Sequence, residues 1–381
     1  MISPQKKILL VTETPPGTPN GFGITLKNLF QDFNHKVVYT DKSFKNHSIP
    51  QNYFFAHCPN HKSKRLLPLF LLGLIPEWRG KYSSLWLKLS LRTSFDVVYC
   101  FFYSLENVKF AYWIAFQKKA KLIVHIADHS ECFFNDSCFN SIIQKSYKRA
   151  CIGKNMQEAY EKKFNLKFEI FHNFADPQKL PFKSKPSSTF TLETPLKLLF
   201  IGSIFKHLHQ GAIEDICTAV EELHTLGKPI SFDIYGQVQP SDYIEDNINN
   251  TSVFYRGEIN AENRFEIMEQ YHAYVVPSSF EENLSANYSF SIPTKLPELL
   301  GSGRPTIIYG PTNMEAYRFC KKLDSGTMIE QPGTEPLKAA ITNLLDNYNY
   351  EYTKAQSDVI RTSDQLFGYQ KQNEFFKFLL S

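Results

Sequence analysis

Short apolar runs rich in β-branched and aromatic residues alternate with amphipathic stretches along the chain, the pattern of parallel strands joined by helical crossovers. In the first half this predicts strands at KILLVT (7–12), KVVYT (36–40), DVVYCFF (96–102), KLIVHI (121–126), RACIG (149–153) and KFEIFHN (167–173). Helices are predicted between them at 22–34, 105–119, 138–148 and 154–164. Residues 174–195 carry four prolines and many small polar side chains without an apolar period, which reads as a linker. The series then restarts with LKLLFIG (196–202), ISFDIYG (230–236), SVFYRG (252–257), AYVVP (273–277), PTIIYG (305–310) and GTMIE (326–330). Ile213, Ile216, Val220 and Leu223 recur at helical spacing, so a helix at 211–227 packs one face on that second sheet.

The predicted fold class is therefore α/β, with two Rossmann-like, doubly wound parallel-sheet domains facing a cleft. The expected division is an N-terminal domain over 1–175, a linker over 176–195, a C-terminal domain over 196–362 and a terminal helix over 363–381. That last helix, with Ser363 as its cap and apolar residues at 366, 367, 375, 376, 379 and 380, is expected to dock back on the N-terminal domain. Open parallel sheets bind ligands beyond the carboxyl ends of their strands, so the chemistry belongs in the loops that follow strands.

Composition narrows the class. A chain of 381 residues is too long for one ordinary core, and 43% hydrophobic with 21% charged residues fits a globular protein. The formal net charge of +4 supplies no whole-molecule field for nucleic acid. Seven scattered cysteines without a CxxC pair fit a reducing cytosol, and the opening apolar run is too short for a signal peptide. The expected location is cytoplasmic. Residues 62–92 join an apolar stretch to seven Lys and Arg residues with Trp78 and Trp86. The stretch is short of the roughly 20 residues that span a bilayer; it reads either as a buried helix with a basic flank or as a peripheral membrane contact. HCPNH (57–61) and KHLHQ (206–210) lack a second cluster at zinc spacing, and no DxD pair suits a bound Mg²⁺, so no metal is expected.

The richest stretch is SFSIPTKLPELLGSGRPTIIYGP, residues 289–311. Thr294 is a fitting N-cap, Pro297 falls where its missing N–H costs nothing, and Gly301 and Gly303 end the helix. Leu296, Leu299 and Leu300 form the inward face, which leaves Lys295 and Glu298 away from it. Free N–H groups of the 289–294 loop, Ser291 included, suit a phosphate oxygen, and a carboxylate one turn further in suits a ribose diol. Spacing alone is equally served by a surface ion pair between Lys295 and Glu298.

The run FSIPTKLPELLGSGRPTIIYGP resembles the C-terminal signature of GT-B glycosyltransferases of family 4, a Pro-Ser/Thr-Lys-x-x-Glu-Tyr-x-x-x-Gly-x-Pro pattern. The resemblance extends over nearly the whole chain, thinly in residues 40–95, and implies that Glu298 binds the ribose of a nucleotide-sugar donor while the loop before it meets the diphosphate. The second glutamate found eight positions earlier in many members is Phe290 here. LLFIGSIFK (198–206) resembles the phosphate-facing loop, with Gly202 and Ser203; Ser203 and Leu208 stand where members carry Arg and Lys, leaving Lys206 and Arg256 as candidate cations for the leaving diphosphate. FYRGEIN (254–260) resembles the nucleobase loop and brings in Gly257 and Glu258.

In the first domain, TPPGTPNGFGITLKNLF (14–30) resembles the glycine-rich turn near donor phosphate and acceptor, with Gly21 and Gly23; as a plain strand-to-helix turn it needs no ligand. It lacks GxGxxG, which disfavours a nicotinamide enzyme. In HIADHSECFFND (125–136), Asp128 and His129 stand where members place a His-Asp or similar pair near the sugar and the acceptor hydroxyl, and either histidine, at 125 or 129, also suits a core. The implied activity is metal-independent transfer, with retention, of a sugar from a nucleotide-sugar to a glycan or lipid-linked acceptor in surface polysaccharide or glycoconjugate synthesis. The nucleotide-sugar is a substrate and no cofactor is expected. The alternatives are a nucleotide-sugar epimerase or phosphorylase on the same fold, and a catalytically silent partner subunit.

Overall fold

The computed structural model of the chain describes residues 6–18, 20–31, 33, 35–41, 53–55, 94–176, 178–180, 195–209, 211–239, 251–259, 263–281 and 289–381. The basic aromatic segment 62–92, HCPNH and most of the 176–195 linker lie outside them. The chain forms two compact units, one of Met1–His172 with Phe375–Ser381 and one of Asn173–Glu374.

The first unit is built on strands β1 (Ile8–Thr12), β2 (His35–Tyr39), β3 (Tyr53–Phe55), β4 (Val97–Phe102), β5 (Lys121–Ile126), β6 (Lys148–Cys151) and β7 (Glu169–Ile170). They pair in parallel in the order β3-β2-β1-β4-β5-β6-β7. Every residue of β1 and β4 is buried, which explains why both read as continuous apolar runs: helices cover both faces of a doubly wound sheet. The predicted helix at 138–148 is instead a pair, Glu131–Asn135 and Ser137–Lys145, hinged at Asp136. That residue ends the first helix in an extended conformation and caps the second, its carboxylate accepting from Phe139 N at 2.7 Å. Phe375 and Leu379, near the end of the chain, are buried in this unit's core, Phe375 edge-on to Phe30, Tyr99 and Phe171.

The second unit carries β8 (Leu196–Ile201), β9 (Ile204–Phe205), β10 (Ile230–Tyr235), β11 (Val238–Gln239), β12 (Val253–Gly257), β13 (Ala273–Pro277), β14 (Thr306–Tyr309) and β15 (Thr327–Ile329). Its main sheet is parallel in the order β12-β10-β8-β13-β14-β15, with β9 and β11 as a small separate ribbon. Ile213, Ile216 and Val220 of helix Ala212–Thr225 pack with Leu198, Phe232 and Ile307 of the sheet and with Leu337 and Ile341 of helix Thr334–Asp346. Ser363 is not a cap: it lies inside helix Tyr348–Leu366, and the break comes at Phe367, whose extended backbone separates that helix from Gly368–Leu380.

Both sheets reverse their winding direction at one place, between β1 and β4 in the first unit and between β8 and β13 in the second. In an open parallel sheet the loops leaving the carboxyl ends there diverge to opposite faces and leave a crevice for ligand. Those loops begin at Glu13 and Tyr103 in one unit and at Gly202 and Ser278 in the other.

Candidate functional site

In the second unit the chain leaves β13 and reaches the short helix Leu296–Gly301, all six of whose residues are buried. The helix packs against Tyr348–Leu366 on one side. On another, a Cβ added to Gly301 would lie 2.9 Å from both Leu180 and Phe367. The expectation that both Lys295 and Glu298 face away from the packed side is corrected for Glu298, which is only 4% exposed, while Lys295, just before the helix, is half-buried. The Thr294 cap is corrected too. The helix starts at Leu296 without a side-chain cap, Pro297 lies in its first turn, and the Thr294 carbonyl instead accepts from Asn173 Nδ2 at 2.7 Å.

Glu298 is held by a residue that spacing did not reveal. Its Oε1 accepts a hydrogen bond from Arg264 Nη2 at 2.6 Å, so its ion-pair partner is Arg264, at the start of helix Arg264–Glu269, and not Lys295. Arg264 is itself buried, with its guanidinium 4.5 Å from the Phe265 ring centroid and its Nε without an acceptor among the described residues. Burial pushes the Glu298 carboxyl above its ordinary range, opposed by the charges of Arg264, Lys295 and Lys179. Burial and the neighbouring Arg264 bring the Lys295 ammonium down to about 8, against the pull of Glu298. Two cations thus surround one carboxylate in a largely dry environment, where charge is costly unless an anion completes the balance.

The remaining candidates of this unit are dispersed around its carboxyl-end loops. Ser291 is half-buried, and the loop is anchored by Ser289, whose carbonyl accepts from Glu315 N at 3.1 Å. Gly202 and Ser203 follow β8, Ser203 exposed; the Gly202 N–H donates to Tyr235 O at 2.9 Å. Lys206 opens helix Lys206–His209, and its side chain lies outside the described residues. Arg256 has an acidic partner: its Nε and Nη2 donate to the Asp233 carboxylate at 2.9 and 3.3 Å, and Tyr271 donates to the same group at 2.6 Å. Gly257 takes a φ of 81° at the end of β12, its carbonyl accepting from Gly236 N, and Glu258 beyond it is exposed.

In the first unit His125 is a core histidine. It is fully buried on β5, bonded through Nδ1 to the Tyr99 hydroxyl at 2.6 Å, and burial drops its pKa to about 3. Asp128 is half-buried and accepts from His129 N at 3.0 Å. The His129 ring packs between Phe134 and Tyr160 with Nδ1 3.3 Å from the Tyr160 hydroxyl and Nε2 3.5 Å from Glu131; desolvation lowers its pKa. Gly21 opens helix Gly21–Phe30, and at Gly23 a Cβ would meet Thr18 backbone at 2.6 Å, so that glycine serves the close fold of the turn itself.

Glu13, at the winding reversal of this unit, was not singled out by the sequence. It is 5% exposed; its Oε1 accepts from Tyr103 N, Ser104 N and Ser104 Oγ, at 3.3, 3.0 and 2.6 Å, while Oε2 is buried without a partner among the described residues. Desolvation outweighs those hydrogen bonds and raises its pKa to about 7. Among the described residues no three His, Cys, Asp or Glu side chains gather as metal ligands, and no helix is long and apolar enough to cross a membrane.

No protein-family profile matches the sequence, and no curated protein matches it. Solved structures do match its fold. HepE of Anabaena, crystallised with UDP and glucose, is 12% identical with a TM-score of 0.66, over 98% of this chain and 99% of that one. A glycosyltransferase of Rickettsia africae is 10% identical with a TM-score of 0.63, over 98% and 97%. TarM is 13% identical with a TM-score of 0.60, over 100% and 99%. The chain therefore has the GT-B fold, two Rossmann-like α/β units matched along essentially their full length.

Proposed function

We propose that the protein is a glycosyltransferase that takes a sugar from a nucleotide-sugar, bound mainly by the second unit, and passes it to a glycan or lipid-linked acceptor held mainly by the first. The observation that carries this reading is the buried Glu298 carboxylate on the short helix that follows β13, flanked by Lys295 from the loop before that helix and by Arg264 from the helix before β13. Such a cluster offers a carboxylate oxygen to vicinal hydroxyls and a cation to a phosphate. The fold neighbours support it: HepE has been crystallised with UDP-glucose, and a trehalose-6-phosphate protein of E. coli with UDP-2-fluoro glucose.

In the proposed reaction the bond from the anomeric carbon to the diphosphate oxygen breaks, a bond to the acceptor oxygen forms, and the acceptor proton leaves with a base. Asp128 and His129 are the proposed side chains on the acceptor side. Lys206 and Lys295 are the proposed cations for the departing diphosphate, whose charge is stabilised by fixed donors. Retention, a metal-independent mechanism, a cytoplasmic location and a role in surface polysaccharide synthesis belong to the same proposal, on the resemblance to family 4.

Calorimetric titration with UDP-, GDP- and ADP-sugars tests it. One nucleotide class should bind, and Glu298→Ala should weaken it by about 1.5–3 kcal/mol, the range of a hydrogen bond to a charged group. A second reading, a catalytically silent partner subunit, is favoured by the engagement of Arg256 with Asp233. Absence of binding by every nucleotide would select it.

A further inference from the structure

Glu298 depends on a residue that no motif marks. Arg264 reaches it from 34 positions upstream, through one hydrogen bond to Oε1. The other carboxylate oxygen takes no hydrogen bond from the described residues, and neither does the Lys295 ammonium give one. We infer that Arg264 is a positioning residue: it fixes Glu298 by Oε1 so that Oε2 and the Lys295 ammonium are left together for one ligand, a ribonucleoside diphosphate. The vicinal hydroxyls of the ribose meet the carboxylate and a phosphate oxygen meets the ammonium. The inference rests on the nucleotide-sugar reading of this cluster.

Charge balance supports the assignment. A carboxyl buried to this degree without a cation takes up a proton, and a neutral carboxyl is a weaker acceptor for hydroxyls than a carboxylate. The groups that act on Glu298 are Arg264, Lys295 and Lys179. Lys179 is more than half exposed and paired with Asp176 at 3.0 Å, so its field is weakened by water. Lys295 makes no ion pair with the carboxylate, and its own ammonium is weakened by burial. Arg264 alone is both buried and in contact, and a guanidinium does not shed its proton when desolvated. Its Nε, buried without an acceptor, and the Lys295 ammonium are what an anionic oxygen entering the cluster would satisfy.

The experiment compares wild type, Arg264→Met, Arg264→Lys and Glu298→Gln by calorimetric titration with UDP, GDP and ADP and with their 2′,3′-dideoxy counterparts, from pH 5.5 to 8. Arg264→Met should lose at least tenfold in affinity for the ribonucleotide and bind it no better than the dideoxy form. Its affinity should fall further as pH drops, because the unclamped carboxyl protonates at higher pH. Arg264→Lys should restore part of the discrimination. A purely structural arginine would weaken both nucleotides equally and leave the pH profile in place, which overturns the inference. A second measurement needs no nucleotide: the ¹³C shift of the Glu298 carboxyl, assigned by its loss in Glu298→Gln, should titrate at higher pH in Arg264→Met. An unmoved midpoint refutes the clamp whether or not nucleotide binds. If wild type binds none of the nucleotides while the midpoint does move, the clamp stands and the functional reading falls with its ligand.

Discussion

Glu13 shows how one side chain can hold its proton against three hydrogen bonds. The donors from Tyr103 and Ser104 all converge on Oε1, so they do little for Oε2, and removal from water governs the group. The unfolded chain releases this proton near 4.5, and the folded chain keeps it up to about 7. The folded state therefore binds more protons across that interval, and stability conferred by the neutral acid is lost as pH rises through it. Glu13→Gln, which copies the neutral acid and cannot ionise, should gain on wild type by up to about 3 kcal/mol between pH 4.5 and pH 7 and hold that gain above it. Thermal melts of the two proteins at pH 5 and pH 8 measure this; a difference that stays constant refutes it. Neither Glu13 nor Arg264 could be found from the sequence, since the partners that give them meaning lie 91 and 34 residues away. Lys295 and Glu298 were legible because their motif is local, but the covering of their helix by Leu180 and Phe367 was not.

Elements were easier to read than residues, because hydrophobic periodicity is local. The predicted strands of both sheets appear within a residue or two, apart from KFEIFHN, of which only Glu169–Ile170 pairs. The helices Glu315–Leu323 and Thr334–Asp346 are absent from the sequence reading although each carries an apolar stripe at helical spacing, Ala316, Tyr317, Cys320 and Leu323 in one and Leu337, Ile341 and Leu344 in the other. What fixes the carboxyl-end loops of the second sheet is backbone contact. Gly236, at a φ of 141°, places its α-carbon so close to Gly202 that an added Cβ would lie 1.8 Å from the Gly202 carbonyl oxygen. Gly227 also has a positive φ, 79°, but nothing lies within 4 Å of its Cβ position. Gly227→Ala should therefore cost only the strain of that conformation, about 1–2 kcal/mol. Gly236→Ala adds a collision with backbone and should cost about 3–5 kcal/mol. Urea denaturation of both variants decides it; equal losses would mean that the contact between the loops of β8 and β10 yields freely.

At the scale of the whole molecule the chain builds two cores, and its last seven residues belong to the first. Phe375 is fully buried there, 5.2 Å from the ring centroids of Phe30 and Phe171 and 5.6 Å from that of Tyr99. Truncating a buried phenylalanine costs about 3–5 kcal/mol through lost contacts and the cavity left behind. The cluster of Arg264, Lys295 and Glu298 lies wholly within the second unit, so a ligand that binds there stabilises that unit, by about 2.7 kcal/mol at a hundredfold excess over its dissociation constant. Two cores addressed by two separate perturbations make a differential scanning experiment informative where a single melting temperature would not be. Phe375→Ala should lower one calorimetric transition and leave the other within about a degree. The nucleotide that binds should raise the transition that Phe375→Ala leaves in place, and Glu298→Ala should abolish that rise without restoring the first. Should both perturbations displace one common transition equally, the two cores melt as a single cooperative body and the division of labour between them is refuted.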